Sequence, residues 1–215
     1  MHTETEDFMR IITISREFGS GGRELGKRLA DRLGFAYYDK EIIFAIAEKQ
    51  GMDSNYVERA LEVGVAQLVP LTFRHSFYTP PAFQAIPPEL LAAQKDILHK
   101  IAETSQDCII VGRSADVILS DKNPFNLFVF ADMEAKIKRC IERADPEEEI
   151  SPREMKQKIR KIDSGRARTK EILSGSRWGA KENYHLTVNT TDWDIKELVD
   201  PVAEFITRWF DRKSL

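Results

Sequence analysis

A short apolar strand that runs straight into a glycine cluster and then into a helix constrains this chain more than any other feature. Residues 10–15 read RIITIS, a β-branched run suited to a buried strand. The stretch that follows, SREFGSGGREL at 15–25, carries Gly19, Gly21 and Gly22. Leu25, Leu29, Ala30 and Leu33 then share one helical face over 23–33, and Gly34 stops the helix. Glycines let backbone N–H groups converge on anionic oxygens, and the helix N-terminus adds partial positive charge. The arrangement therefore points to bound phosphate, with a tight ligand-free turn as the alternative. The strict GxxxxGK[ST] pattern is not met: Arg16 stands where its first glycine belongs, and Gly22 where its lysine belongs.

The rest of the chain repeats the strand–helix alternation. Further strands are expected at 35–38, 108–111, 125–130 and 185–188. Helices are expected at 40–50, 54–62, 89–104 and 132–143, with Asp39 and Asp132 as caps. SPRE at 151–154 is a capping box with proline at the first helical position, a strong helix start. A last helix carries Leu198, Val199, Val202, Phe205, Ile206 and Trp209 on one stripe. Five short strands alternating with helices imply an α/β fold, a five-stranded parallel sheet flanked by helices. Ligands of such sheets bind beyond the carboxyl ends of the strands. The loops that matter are then 16–22, the turn at Asp39, 112–116, 131–132 and 189–192.

With 215 residues, 42% hydrophobic and 31% charged, the chain suits a single domain with inserted lobes. Residues 1–9 read as a loose tail and 40–104 as an inserted lobe. Proline and aromatic residues cluster at 70–88, a segment that either lines a ligand site or packs a homodimer interface. The formal net charge of −3 gives no bulk attraction to nucleic acid. Two cysteines, Cys108 and Cys140, with no CxxC pair, fit a reducing compartment, and the absence of a signal-peptide pattern or a long apolar run makes the cytoplasm the expected location and a membrane partner unexpected. Against that acidic balance, residues 151–181 hold ten basic residues and three acidic ones, Glu154, Asp163 and Glu171. Such a stretch is either a solvated helix or a set of phosphate ligands; arginine suits the second because its planar fork grips phosphate bidentately. Arg113 follows an apolar strand and Gly112 at the ligand end of the sheet, as a phosphate ligand or a structural ion-pair partner.

The segments ITISREFGSGGRELGKRLADRLG with YYDKEII, IIVGR at 109–113, LFVFADMEAKIKRCIER at 127–143, RAR at 166–168 and YHLTVNTTDWDIKELV at 184–199 resemble the cytidylate kinase-like family of nucleoside monophosphate kinases. The resemblance implies a P-loop NTPase fold with an inserted acceptor-binding lobe and a helical lid at 151–181. It implies transfer of a phosphoryl group from ATP, with Mg²⁺, to a nucleoside monophosphate, CMP or dCMP. It places the donor phosphates against Arg16, Gly19, Ser20, Gly21, Gly22, Arg23 and Glu24, and the acceptor near Asp39 and Arg113. Arg166 and Arg168 would reach phosphates from the lid. Because the loop lacks its lysine, Arg23 is the expected replacement and Arg16 its competitor; the bland alternative for Arg23 is an ion pair, for instance with Glu17. Glu17, Glu24, Asp39 and Asp116 are the candidate carboxylates on the metal side, and spacing does not choose among them. A kinase for another small metabolite and a non-catalytic nucleotide binder remain open on the same scaffold.

Overall fold

A computed structural model describes residues 9–63, 86–104, 106–144 and 149–213. Strand β1 (Ile11–Arg16) is buried along its whole length and forms the centre of the sheet. It pairs in parallel with β3 (Cys108–Val111) on one side and β4 (Phe125–Phe130) on the other. β2 (Ala36–Tyr38) adds to β3 and β5 (Leu186–Asn189) to β4, both parallel, giving the order β2-β3-β1-β4-β5. The expected five-stranded parallel sheet is therefore the observed one.

Side-chain alternation along the strands divides the core into two layers. Ile12, Ile14, Ile109 and Val111 face α1 (Gly22–Leu33) and α8 (Val199–Lys213). Ile11, Cys108 and Ile110 face the helices of the other side, α2 (Lys40–Gln50), α3 (Ser54–Val63), α4 (Pro88–Ala102) and the short α5 (Ala115–Ile118). Each fully buried isoleucine contributes roughly 1.5–3 kcal/mol. Gly26 lets α1 lie close on the strands: a Cβ there would sit 3.0 Å from both Ile14 Cδ1 and Val111 Cγ2. The helix that follows the glycine loop is thereby fixed against β1 and β3, and its N-terminus stays at the carboxyl edge of the sheet.

Two helices complete the picture, α6 (Met133–Glu142) after β4 and α7 (Pro152–Ser174). The expected capping box forms, with Ser151 Oγ accepting from Glu154 N–H and Glu154 Oε2 accepting from Ser151 N–H. Asp132 does occupy the N-cap of α6, but its side chain makes no capping bond; its N–H donates to Thr191 Oγ1 (3.0 Å). Phe205, expected on the buried stripe of α8, is 45% exposed and only edges against Phe125, since Val202, Ala203 and Ile206 fill the contact. The proline–aromatic segment lies almost wholly outside the described residues; Pro87 and Pro88, at its end, start α4. No described helix is long and apolar enough to cross a membrane. Cys108 and Cys140 are both free thiols.

Candidate active site

The glycine loop crosses the carboxyl end of β1, and each of its glycines answers a close approach. Gly19 and Gly21 have φ of +80° and +82°, a left-handed region that side chains avoid. A Cβ at Gly19 would meet Cys140 Sγ at 2.7 Å, and one at Gly21 would meet Ile195 Cδ1 at 2.4 Å. The carbonyls of Gly19 and Ser20 are drawn outward. Arg139 donates to Gly19 O (2.8 Å) and to Thr190 O (3.1 Å), and Thr190 Oγ1 donates to Ser20 O (2.7 Å). The N–H groups one turn on therefore lose their usual helical acceptors. Among the described residues, those of Gly19, Gly21, Arg23 and Glu24 have no acceptor. Unpaired N–H groups at a helix N-terminus, held open by side chains behind the loop, form a cradle for an anion.

Ser20 and Glu24 lie in this loop in structural roles. Ser20 is fully buried and its Oγ donates to Glu17 O (2.8 Å), stapling the turn. Burial would raise the Glu24 pKa, but hydrogen bonds and charge from Arg143 and Arg28 outweigh it and hold the carboxyl below its ordinary value. Glu17 does not pair with Arg23; its Oε2 binds the buried Lys136 Nζ at 2.7 Å.

Arg23 leans instead onto Asp39, with Nε 2.5 Å from Oδ2, and its side chain remains 49% exposed. Asp39 holds the N-cap position of α2 without a capping bond; its buried carboxylate also faces Arg16, Nη2 lying 3.8 Å from Oδ1. The structure thus joins Arg16, Arg23 and Asp39 in one cluster. Arg16 is only 7% exposed. Its pKa is lowered to about 9, first by burial, then by the charges of Arg166 and Arg113, with Asp39 opposing.

Helix α7 closes over this cluster. Arg166 Nη1 donates to Arg16 O (3.0 Å), and its guanidinium lies 5.8 Å from the Phe18 ring centre. Three residues earlier, Asp163 Oδ1 accepts from Phe18 N–H (2.7 Å), while its Oδ2 sits 3.4 Å from Lys136 Nζ. Burial raises the Asp163 pKa, against the Phe18 hydrogen bond and the nearby Lys136 and Arg166 charges. One turn beyond Arg166, Lys170 forms a buried ion pair with Asp116. Asp163, Arg166 and Lys170 share the inner face at helical spacing. Arg168, two residues from Arg166, points the other way and is exposed, outside the cleft lining. The expected pair of lid arginines is therefore Arg166 with Lys170 on the inside, not Arg166 with Arg168.

Arg113 lies at the exit of β3 in a run of left-handed residues: φ is +76° at Gly112, +58° at Arg113 and +49° at Ser114. Strain of this kind, roughly 1–3 kcal/mol per residue, collects where a site dictates geometry. Gln94 Nε2 fixes the turn by donating to Arg113 O (2.9 Å). Arg113, Ser114, Asp116, Lys170 and Arg166 line a cavity of about 50 Å³. A larger cleft of about 1050 Å³ runs along the glycine loop to Asp39 and Arg139. Sequence reasoning did not single out Lys136 or Arg139; it counted Asp163 and Lys170 only as members of the stretch 151–181, and Thr190 only through the loop 189–192.

All four candidate metal-side carboxylates are engaged by cations: Glu17 by Lys136, Glu24 by Arg28 and Arg143, Asp39 by Arg23, and Asp116 by Lys170. No group of three or more metal-ligating side chains occurs among the described residues. Asp39 Oδ1 and Asp116 Oδ1 are nevertheless buried without a hydrogen bond. That donor set fits a Mg²⁺ held chiefly by nucleotide phosphates and water, the usual habit of this ion, rather than one caged by protein.

A profile of the cytidylate kinase-like family matches residues 11–192. Among curated proteins no match is found. Solved structures are similar over nearly the whole chain. An uncharacterized protein from Eubacterium ventriosum shares 24% identity at TM-score 0.67, covering 93% of this chain and 99% of that one. The shikimate kinase of Bacteroides thetaiotaomicron shares 16% at TM-score 0.54, with 93% and 99% covered. A gluconokinase from Sinorhizobium meliloti shares 14% at TM-score 0.52, with 95% of each chain covered. These likenesses establish the fold, that of the P-loop NTPases.

Proposed function

This chain belongs to the cytidylate kinase-like family, and on that premise we propose that it transfers the γ-phosphoryl group of ATP to a nucleoside monophosphate, CMP or dCMP. The observation that carries the reading is the open cradle of N–H groups at Gly19, Gly21, Arg23 and Glu24, with Arg16, Arg23, Arg113 and Arg166 grouped beside it. Phosphoryl transfer through a loose transition state asks a protein for positioning and for cations around the equatorial oxygens, and little else. The long cleft takes the donor along the glycine loop, and the turn at Gly112–Ser114 takes the acceptor phosphate.

The carboxylates bear on the acceptor. An alcohol acceptor must shed a proton, and a base must take it. A monophosphate is already largely ionised at neutral pH, so its oxygen attacks without one. With Glu17, Glu24, Asp39 and Asp116 all engaged by cations, the site suits a phosphate acceptor. The acceptor oxygen forms the new bond to phosphorus as the bond to the β–γ bridging oxygen breaks, and ADP departs with that electron pair. Mg²⁺, carried by the donor, would offset phosphate charge, with Asp39, whose buried Oδ1 has no hydrogen bond, as a carboxylate lining the same cleft.

The test is coupled ADP release with Mg-ATP across CMP, dCMP, UMP, AMP and non-nucleotide acceptors such as shikimate and gluconate. The expected result is the highest kcat/KM with CMP or dCMP. Preference for an alcohol acceptor refutes the nucleotide reading and keeps the kinase; ADP release with none refutes both.

A further inference from the structure

The side chain of Arg16 explains two glycines at once. A Cβ on Gly22 would lie 2.6 Å from Arg16 Cβ and 3.1 Å from Val129 Cβ. The stem of Arg16 therefore fills the space that a side chain at position 22 would need. The guanidinium then runs on to the end of β3, where a Cβ on Gly112 would lie 1.6 Å from Arg16 Nη1 and 2.6 Å from Cζ. The contact at position 22 cannot swing aside, since the clash there is with Cβ itself, whereas the one at Gly112 is with the guanidinium end of the side chain. Position 22 is where a P-loop carries its lysine, and position 16 where it carries its first glycine. The chain has the two exchanged: the glycine is on the helix, and the cation rises from the strand.

The place this cation reaches is equally specific. Arg16 and Arg166 are the residues that line both the long cleft at the glycine loop and the small cavity at Arg113 and Asp116. On the phosphoryl-transfer reading above, on which this inference rests, the donor lies in the first and the acceptor phosphate in the second. The transferred group must cross between them. Arg23 is set otherwise, half exposed at the rim with Nε bound to Asp39. We propose that Arg16 is the catalytic residue that takes over the work of the absent loop lysine, its guanidinium binding the phosphoryl oxygens as the group passes from donor to acceptor. Burial among Arg166, Arg113 and Arg23, with Asp39 as the opposing charge, fits a cation held ready for an anion. Arg23 positions Asp39 and through it the guanidinium.

The experiment compares wild type, Arg16→Gln, Arg23→Ala, Arg16→Gly and the exchanged pair Arg16→Gly/Gly22→Lys. Each is measured for turnover with the best acceptor, for unliganded Tm, and for the Tm shift given by Mg-ATP and by inorganic tripolyphosphate. Glutamine keeps the stem through Cδ and a polar end, and loses the charge and the reach of the guanidinium. Arg16→Gln is expected to lose at least ~10³-fold in turnover, the scale of a transition-state arginine. It should also lose most of the tripolyphosphate shift, with unliganded Tm no lower than wild type. Arg23→Ala should lose less than ~10-fold. The exchanged pair should turn over at least ~10-fold faster than Arg16→Gly, because removing Arg16 clears the space for a lysine at 22. Turnover of Arg16→Gln within ~10-fold of wild type overturns the proposal. So does an exchanged pair no faster than Arg16→Gly, which decides the matter if Arg16→Gln does not fold. Wild type inactive on every acceptor refutes the kinase reading alone. A tripolyphosphate shift lost in Arg16→Gln would then still support the phosphate contact, and one retained would overturn it.

Discussion

Breaking the Lys170–Asp116 pair from its two ends should give unequal losses of stability. Lys170 is 4% exposed and Asp116 6%, so neither end can recover hydration if its partner is removed. A pair of exposed side chains is worth about 0–1 kcal/mol, whereas removing one partner of a buried pair costs about 3–5 kcal/mol. The surroundings set the asymmetry. The cavity beside the pair is lined by Arg16, Arg113 and Arg166 as well as Lys170, and Asp116 is its one carboxylate among the described residues. Asp116→Asn leaves a buried ammonium facing like charges, and should cost about 4–5 kcal/mol. Lys170→Met leaves a carboxylate still near guanidinium groups, and should cost about 1–3 kcal/mol. The double variant should cost less than the sum of the two, with a coupling of at least ~2 kcal/mol. A chain with total stability of about 5–15 kcal/mol will show this plainly. Urea unfolding followed by far-UV circular dichroism at pH 7 gives all three values, provided the m-value holds. Losses under about 1 kcal/mol at both ends, or a larger loss from Lys170→Met than from Asp116→Asn, would refute the electrostatic account of this cavity.

Two further outcomes follow from the same geometry. The Arg16 pKa of about 9 lies below its ordinary 12.5, so the free protein carries the charge below about pH 9 and sheds it above. A bound phosphate favours the charged form and raises that pKa; binding above pH 9 then requires proton uptake. The ligand ionises further in the same range, so the reading is taken relative to Arg16→Gln: the wild-type advantage for tripolyphosphate should be level from pH 7 to about 9 and fall toward tenfold per pH unit beyond. Titration calorimetry that finds that advantage level through pH 10 would remove the link. Hydrogen exchange addresses the lid: amides of Pro152–Ser174 should exchange more slowly with a bisubstrate analogue bound than without, since Asp163 and Arg166 tie α7 to the loop that the analogue orders. Equal exchange in both states would mean that α7 is a fixed wall.

What the sequence disclosed was local. The strand, the glycine turn and α1 follow from a β-branched run, three close glycines and a 3.6-residue apolar repeat, all within 25 residues of one another. The capping box at Ser151 is a four-residue signature and formed as expected. The site's partners are not local. That Arg16 crosses to Gly112, or that Arg23 reaches Asp39 and not Glu17, depends on the order in which strands lie side by side. Lys136, Arg139 and Thr190 hold the loop from behind, and nothing in their own neighbourhoods marks them. Asp163 did leave a signal, as the one acid between Lys156 and Lys170 in a basic run. The lid had one too: from Arg166, four residues forward, at Lys170, stays on the same helical face, and two, at Arg168, does not.

The most direct test of the account is a crystal grown with Mg²⁺ and a non-hydrolysable ATP analogue. The account requires density for the β- and γ-phosphates against the N–H groups of Gly19, Gly21, Arg23 and Glu24, with the Arg16 guanidinium in hydrogen-bond contact with the γ-phosphate. An empty loop with those N–H groups turned away, or an analogue bound there with Arg16 still directed only at Asp39, would contradict it.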